Sequence, residues 1–392
     1  RSHWRLISAA RTSRLWGMTD TQTFSADVYA QRLHAAQKAA ADKGIDLLLI
    51  GTGPDFAYLT GSWVSSHERL TVLVVPQQGN AWIAAPNTDI TDIKAAPVGE
   101  LDVELRGWND GENPYEFALR GAGDGLGKVA LGQSLTADHV LRFQELLPHA
   151  SYELATYALA ELFTRKDEAE IAELRKAGHA IDAVHAQVPQ LLQAGRTEAE
   201  VAHELEKLIL QEHSVIDFVI VGSGPNGANP HHSFSDRVLA EGEPVVVDIG
   251  GTLPSGYHSD CTRTYVVGGD ISTAPQDFQD AYAVLADAQA AARAAAHPGS
   301  TAADIDAITR EAISAAGWGD YFVHRTGHGI GLSTHEEPFI MEGNDLALEE
   351  GMAFSIEPGI YLEGKWGMRL EDIVVLTNDG YESLNQAPRD VR

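Results

Sequence analysis

The residues with the clearest chemical potential in this sequence are four carboxylates that lie in apolar, β-rich segments. Asp248 lies in VVVDIGG, Asp260 in YHSDCTRTYVV, Glu357 in AFSIEPGIY and Glu371 in MRLEDIVVLT. A buried carboxylate without a partner is costly, so such groups are normally paired, protonated or bound to metal. Four of them at one place would repel each other and take up protons unless cations neutralised them. We therefore predict a metal site.

Each pair of carboxylates flanks the turn of a predicted hairpin. The midpoint between Asp248 and Asp260 falls at Pro254, and that of the second pair falls at Gly364. Pairing about these turns would bring the two members of each pair together. His328, in RTGHGIGL, adds a nitrogen ligand between glycines. We predict that these five side chains bind two divalent ions that activate a water molecule, with Mn²⁺, Co²⁺, Zn²⁺ or Fe²⁺ as suitable metals.

The carboxylates occupy equivalent points of two tandem units, each made of two helices followed by a hairpin. GRTEAEV in the first unit resembles GSTAADI in the second, and Glu241 precedes Asp248 by as many residues as Glu350 precedes Glu357. Tandem units of this kind can pack about a pseudo-two-fold axis and turn their hairpins into a shared cleft.

Helical periodicity predicts the elements that carry the hairpins. Apolar residues recur at helical spacing from Lys166 to Gly195, and a capping box at Thr197 begins the next helix. In the second unit one helix ends near Pro298 and the next begins at Thr301. GSGPNG, within the first unit, matches the dinucleotide-binding pattern only formally, because no helix pattern follows its proline.

The region from about Ala26 to Tyr157 alternates short apolar runs with helical patterns. It predicts a helix ending at Gly44, a buried strand in IDLLLIG, a hairpin in RLTVLVVP with NAWIAAP, and a helix in ADHVLRFQELLP. This pattern is typical of a layered α/β domain. Because the region has no dense cluster of histidine and carboxylate, we assign the chemistry to the second part.

Composition restricts the possible partners. The chain has 392 residues and a formal net charge of −28, from 28 Lys and Arg against 56 Asp and Glu. Such an excess disfavours nucleic acid and anionic membranes as partners. The single cysteine, Cys261, allows no intrachain disulfide and favours a cytoplasmic location. No apolar run is long enough to span a bilayer. Residues 1–17, rich in arginine and free of acids, are interpreted as an appended or leader segment ahead of Met18, with an organellar transit peptide as the alternative.

In combination these stretches resemble the "pita-bread" metallopeptidases, which include methionine aminopeptidase, aminopeptidase P and prolidase. The matching segments, which cover most of residues 215–377, are VIVGSGPNGANPHHSFSD, VVVDIGGTLPSGYHSDCTRTYVVG, HRTGHGIGLSTHEEP, FSIEPGIYLEG and GMRLEDIVVL. IDLLLIGTGPDFAYLTG resembles the creatinase-type N-terminal domain, which methionine aminopeptidases lack. The resemblance implies a creatinase-like α/β domain at residues 18–160, followed by a pseudo-two-fold pita-bread α+β catalytic domain at residues 161–392.

The resemblance also implies a role for each metal ligand. Asp248 would chelate one ion, Asp260 and Glu371 would bridge both, and His328 and Glu357 would complete the other shell. Glu357 would double as the proton shuttle. The interval from Asp248 to Asp260 looks one residue longer than is usual in the family, a difference that leaves ligation intact if the extra residue lies in the turn.

Further roles follow from the same resemblance. His231 would contact the leaving side of the substrate, with His232 as the less favoured candidate, and His335 would stabilise the polarised carbonyl or the oxyanion. Three more residues match substrate-side positions: His324 would line the proline pocket, Arg369 would orient acidic and phenolic neighbours, and Tyr361 would lie behind the ligands.

The implied activity is hydrolysis of Xaa–Pro bonds by a metallo-exopeptidase, with Mn²⁺ as the favoured metal. The compact N-terminal domain and the total length favour a prolidase, which releases proline from Xaa-Pro dipeptides; aminopeptidase P, which acts on longer peptides, is the alternative. A metal-free creatinase-like hydrolase or a binding module of the same fold is disfavoured, because all five ligand positions carry ligating residues. The resemblance further implies a homodimer.

Overall fold

The computed structural model of the protein describes residues 24–391. The chain divides between Phe163 and Thr164 into two compact units, which are described separately. The predicted leader, residues 1–17, lies outside the described residues. Within residues 24–391, no helix is both long and apolar enough to cross a membrane.

The N-terminal unit is a mixed six-stranded sheet with helices. Its helices are α1 Ala26–Asp42, α2 Pro54–Thr60, α3 Ile90–Ala95, α4 Pro114–Leu119, α5 Ala137–Leu146, α6 Ala155–Ala158 and α7 Ala160–Thr164. Its strands are β1 Leu47–Gly51, β2 Val72–Pro76, β3 Trp82–Pro86, β4 Glu104–Trp108, β5 Lys128–Leu131 and β6 Ser151–Leu154. They pair in the order β4-β3-β2-β1-β5-β6, antiparallel from β1 to β3 and parallel elsewhere.

The elements predicted in this unit are present, but the sequence pattern did not predict the two strands at the edges of the sheet, β4 and β6. The predicted hairpin is β2–β3, and α1 is followed by Gly44 in the left-handed conformation at φ 68°. The strands β4 and β6 were missed because most of their residues are exposed or half-exposed, so they lack the continuous apolar run of a central strand.

The C-terminal unit contains two successive sets of helices, each followed by antiparallel strands. The helices are α8 Glu168–His185, α9 Val188–Leu191, α10 Glu198–Ile209, α11 Gln276–Ala294 and α12 Ala302–Ala315. The strands are β7 Val215–Ser223, β8 Pro244–Thr252, β9 Cys261–Val266, β10 Gly327–Gly329, β11 Glu336–Ile340, β12 Ala353–Ile356, β13 Gly359–Leu362, β14 Trp366–Arg369, β15 Asp372–Leu376 and β16 Tyr381–Ser383. They form sheets β7-β8-β9, β11-β10-β12-β15-β16 and β13-β14.

The last helix of each set begins in the same way. Thr197 caps α10 and Thr301 caps α12, each in a complete capping box. The predicted continuous helix from Lys166 to Gly195 is wrong in one respect, because α8 ends at His185 and α9 is a separate turn. Pro189 cannot donate a backbone hydrogen bond within a longer helix, which explains the break.

His185, at the end of α8, makes the stability of this unit depend on pH. Its Nε2 donates to the carbonyl oxygen of Cys261 at 2.9 Å, and its Nδ1 lies 2.9 Å from the hydroxyl of Tyr265. Burial, assisted by the charge of Arg263, lowers the pKa of His185 to about 3. Below pH 6.5 the unfolded chain therefore binds a proton that the folded protein excludes, and stability falls as the pH falls.

We expect this group to lower the free energy of unfolding by about 2 kcal/mol between pH 7 and pH 5. Urea denaturation of the wild type and of His185→Gln at both pH values measures the effect, because glutamine retains a donor for Cys261 but does not titrate. An equal loss of stability on acidification in the two proteins would contradict the prediction.

Candidate metal centre

The structure brings the five predicted ligand residues together from five places in the C-terminal unit. They are placed as follows: Asp248 within β8, Asp260 just before β9, His328 in β10, Glu357 between β12 and β13, and Glu371 between β14 and β15. Their ligand atoms form overlapping groups within 4.8 Å, namely Asp248–Asp260–Glu371, His328–Glu357–Glu371 and Asp260–His328–His335. Glu371 belongs to two of these groups, so it lies between the first hairpin and His328.

The first hairpin reaches this arrangement by a register different from the predicted one. Asp248 is paired with Thr262 rather than with Asp260. The turn spans Leu253 to Tyr257, which are joined by a hydrogen bond of 2.8 Å, so its centre lies one residue beyond Pro254. The two aspartates are consequently diagonal neighbours on one face of the hairpin, which still brings their carboxylates together.

The second hairpin keeps the predicted register. Ile356 pairs with Asp372, and Gly359 pairs with Arg369, so Glu357 and Glu371 lie opposite each other where the chain passes from one sheet to the next. Both glutamates lie outside the strands proper, which frees them from the alternation of side chains along a strand.

Two carboxylates at the centre each have one oxygen held by the protein and one left unsatisfied. Arg369 donates to Oδ2 of Asp248 at 2.7 Å, and Thr262 donates to Oε2 of Glu371 at 2.8 Å. Asp248 Oδ1 and Glu371 Oε1 are buried and have no hydrogen-bond partner among residues 24–391. Since buried polar atoms are normally satisfied, these two oxygens fit a bound cation. The donor set of carboxylates and one imidazole therefore fits divalent metal.

The shifted pKa values of the centre also indicate a site for cations. Burial and the neighbouring acids raise the pKa of Asp260 to about 7 and raise the pKa values of Asp248 and Glu371. Burial alone would lower the pKa of His328, but its hydrogen bonds and ion pairs with Asp260 and Glu357 raise it to about 10. Burial would likewise raise the pKa of Glu357, but the hydrogen bond with His328 lowers it to about 2. The clustered carboxylates are therefore stable only when positive charge, from bound protons or from metal ions, neutralises them.

The orientation of His328 leaves one nitrogen for a ligand. Its Nδ1 donates to the carbonyl oxygen of Gly329 at 2.9 Å, and its Nε2 lies 3.0 Å from Glu357 Oε1 and 3.5 Å from Asp260 Oδ2. A hydrogen bond of this kind fixes the tautomer that presents the Nε2 lone pair to a metal.

A hydrogen-bonded chain connects the predicted substrate-side residues to Asp248. Arg369 donates to the Tyr361 hydroxyl at 2.8 Å, and that hydroxyl lies 2.7 Å from His324 Nε2. His324 Nδ1 donates to the carbonyl oxygen of Arg325 at 2.7 Å, so Nε2 is the acceptor in the neutral ring. Burial lowers the pKa of His324 and raises that of Tyr361 to about 12, which keeps both groups neutral.

His335 and His231 are exposed; His335 is close enough to the ligands His328 and Glu357 to interact with them electrostatically, and His231 is close enough to interact with His335. The rings of His335 and His328 are 4.0 Å apart between centroids. Although solvent reaches His335, partial burial and the charge of His328 lower its pKa to about 4. His232 instead places Nε2 at 2.8 Å from Oε2 of Glu198. Of the two adjacent histidines, His231 is the one free to face a substrate.

Two hydroxyls that the sequence interpretation missed hold the ligands in place. Thr262 donates to Glu371 and receives a hydrogen bond of 3.2 Å from Arg369 Nε. Ser355 donates to Glu357 Oε1 at 2.8 Å and accepts from the backbone amide of His328 at 3.0 Å. Each lies two residues from a predicted ligand, and alternation along a strand could have indicated the shared side.

The fold and the site define a metallopeptidase, and the chain belongs to metallopeptidase family M24, whose profile matches residues 172–378. The profile of the creatinase/prolidase N-terminal domain matches residues 32–162, so the predicted combination of domain types is confirmed. The protein is therefore a hydrolase of a family that uses divalent metal ions.

Similar proteins include peptidases from several bacteria. The chain is 48% identical over 372 residues to "Probable dipeptidase PepE" of Mycobacterium tuberculosis, covering 95% of this chain and 98% of that protein. It is 34% identical over 369 residues to "Xaa-Pro dipeptidase" of Lactobacillus helveticus, covering 92% and 98%. The crystal structure of dipeptidase PepE from Mycobacterium ulcerans superimposes with a TM-score of 0.91 at 47% identity, covering 94% of this chain and 99% of that one.

Proposed function

We propose that this protein hydrolyses Xaa–Pro bonds at a dinuclear metal centre and that it releases proline from Xaa-Pro dipeptides. The observation that carries the proposal is the pair of ligand groups joined at Glu371, whose buried Oε1 has no hydrogen-bond partner among the described residues. The dipeptidase names of the relatives support the substrate class. A homodimer and a cytoplasmic location are part of the same proposal.

Five residues would hold the ions, with Mn²⁺ as the favoured metal and Co²⁺, Zn²⁺ or Fe²⁺ as alternatives: Asp248, Asp260, His328, Glu357 and Glu371. Asp260 and Glu371 would be shared between the two ions. Bound divalent ions supply Lewis-acid polarisation of a carbonyl and a reactive water at neutral pH.

The side chains around the centre would move protons and stabilise charge. Glu357, hydrogen-bonded to Ser355 and 3.0 Å from His328, would accept a proton from water and pass it to the leaving amine. His335 carries no charge at neutral pH and can donate a hydrogen bond to the scissile carbonyl oxygen as negative charge develops there. His231 would donate on the leaving side, and His324 with Tyr361 would border the proline ring.

Arg325 is suited to recognise a dipeptide, because a dipeptide ends at the proline with a free carboxylate. Its guanidinium lies 4.3 Å from the ring centroid of Phe339 and, among residues 24–391, is paired with no carboxylate. The charge of Arg325 is among the causes that lower the pKa of His335, so the two side chains are near each other. A planar guanidinium binds a carboxylate through two parallel hydrogen bonds.

The decisive experiment compares three substrates: an Xaa-Pro dipeptide, its C-terminal amide and an Xaa-Pro-Yaa tripeptide. We expect the Mn²⁺-loaded protein to cleave the dipeptide, and to cleave the other two on the order of 10- to 100-fold more slowly, because neither ends in a carboxylate at proline. Chelator-treated protein is the control and should be inactive.

Each other outcome selects a different function. Comparable or faster cleavage of the tripeptide would make the protein an aminopeptidase P. Activity that survives chelation would favour a metal-free, creatinase-like hydrolase. No cleavage of any of the three would refute the proline specificity.

A further inference from the structure

A fully buried carboxylate on the first turn of α10, Glu198, accepts six hydrogen bonds from one loop. Its Oε1 accepts from the backbone amide of Ser223 at 2.8 Å, from the hydroxyl of Ser223 at 2.6 Å and from Asn226 at 3.0 Å. Its Oε2 accepts from His232 at 2.8 Å and from the amide and hydroxyl of Ser235 at 2.8 and 2.7 Å. Every one of these contacts requires an acceptor, which a carboxylate provides on both oxygens.

The contacts of Glu198 fix the segment 223–235 at both ends. Ser223 is the last residue of β7, and Ser235 follows twelve positions later. His231 lies inside this segment, next to the anchored His232, and its amide donates to Asn229 at 3.1 Å. The loop thus presents His231 towards solvent while its neighbour is held inward.

In the second set of elements Asp306, a buried carboxylate on α12, makes a similar contact from a different helix position: it is the fifth residue after the cap Thr301, whereas Glu198 directly follows the cap Thr197. Oδ1 of Asp306 accepts from the backbone amide of Thr326 at 3.1 Å and from the hydroxyl of Thr326 at 2.7 Å. The amide-and-hydroxyl pattern is the same as that between Glu198 and Ser223. Arg310 balances the charge of Asp306 with hydrogen bonds of 2.9 Å. Thr326 lies two residues before His328.

We propose that Glu198 and Asp306 are positioning residues with different tasks: Glu198 holds His231 against the substrate, and Asp306 holds His328 for metal. The inference rests on the proposed function, since it assigns tasks within that site. Neither carboxylate is among the ligand groups, so each acts through the histidine-bearing segment it anchors. Both carboxylates only accept hydrogen bonds from the groups they hold. An amide side chain in place of either one would have an NH₂ group where one carboxylate oxygen was, and that NH₂ group cannot accept these hydrogen bonds.

Glu198→Gln tests the first half. We expect kcat for an Xaa-Pro dipeptide to fall on the order of 10- to 100-fold, because a displacement of about 1 Å at a reacting group has that effect. The affinity for Mn²⁺, measured by calorimetric titration of the chelator-treated protein, should stay within about twofold. Glu200→Gln, an exposed residue of the same turn, is the matched control and should keep wild-type kcat.

The double variant Glu198→Gln/His231→Ala separates positioning from general structural damage. If Glu198 acts through His231, the double variant should have the same kcat as His231→Ala alone. Multiplication of the two single effects would overturn the assignment.

Asp306→Asn tests the second half with a measurement that does not depend on activity. We expect the Mn²⁺ affinity to fall on the order of 10- to 100-fold, as is common when the support of a metal ligand is removed. An unchanged affinity, or an equal loss in Glu198→Gln, would overturn the division of tasks. Failure of the wild type to cleave Xaa-Pro would count against the proposed function, whereas the two affinities would still test this inference.

Discussion

Replacement of Glu371 by alanine is expected to reduce kcat/KM for an Xaa-Pro dipeptide by on the order of 10³- to 10⁵-fold. Glu371 belongs to the ligand group of Asp248 and Asp260 and also to that of His328 and Glu357. Its removal therefore weakens both halves of the centre at once. Activity and bound metal should be measured together, with Mn²⁺ in excess.

The same variant should respond to metal differently in a stability experiment. Binding of Mn²⁺ to the folded wild type should raise the Tm, because a ligand that binds only the native state stabilises it. In Glu371→Ala most of this increase should disappear. The metal-free variant should be at least as stable as the metal-free wild type, because a buried carboxylate with a raised pKa has been removed.

Glu363→Ala is the matched control for Glu371→Ala. Glu363 is exposed in the turn between β13 and β14, so it lies on the same hairpin as Arg369. We expect its replacement to leave turnover and the metal-induced rise in Tm unchanged. Near wild-type turnover in Glu371→Ala would refute the dinuclear mechanism.

The largest expected loss of stability comes from Asp372, the residue after Glu371. Its buried carboxylate accepts hydrogen bonds from Arg263 at 2.7 Å, Arg389 at 2.8 Å and Gln289 at 2.8 Å. Asp372→Asn keeps the volume but leaves the buried guanidinium of Arg263 without its counter-charge. We expect the free energy of unfolding to fall by about 3–5 kcal/mol, the usual effect of breaking a buried ion pair.

Urea denaturation of the metal-free protein measures this loss without a contribution from bound ions. Glu382→Ala, which breaks the half-exposed pair of Arg175 and Glu382, is the control and should lower stability by less than about 1 kcal/mol. If the two variants lost similar amounts of unfolding free energy, the prediction that the buried ion pair of Asp372 matters more than a half-exposed one would be wrong. Because Arg263 also contacts the backbone oxygen of Glu371, the Asn variant should in addition bind Mn²⁺ less tightly.

Local features of this protein are determined by the sequence itself. The capping boxes at Thr197 and Thr301 and the left-handed Gly44 involve residues only a few positions apart. Their energetics are settled within one turn of chain, so the pattern predicts them directly. In the tandem repeat, carboxylates also recur at equivalent places of the two units. This recurrence made it possible to select the candidate ligands from the amino-acid sequence alone.

Tertiary structure alone decides which of these groups meet. The contact between Arg369 and Asp248 joins residues 121 positions apart, and that between Glu198 and Ser235 joins residues 37 positions apart. Sequence periodicity places each group on a face of its own element but carries no information on the partner across the core. The pairing of Asp248 with Thr262 was misjudged for the same reason, because a turn can shift a register without changing which residues are apolar. Packing of the helices against the strands selects the register and the partners, and it thereby decides that His231 faces solvent while His232 is anchored to Glu198.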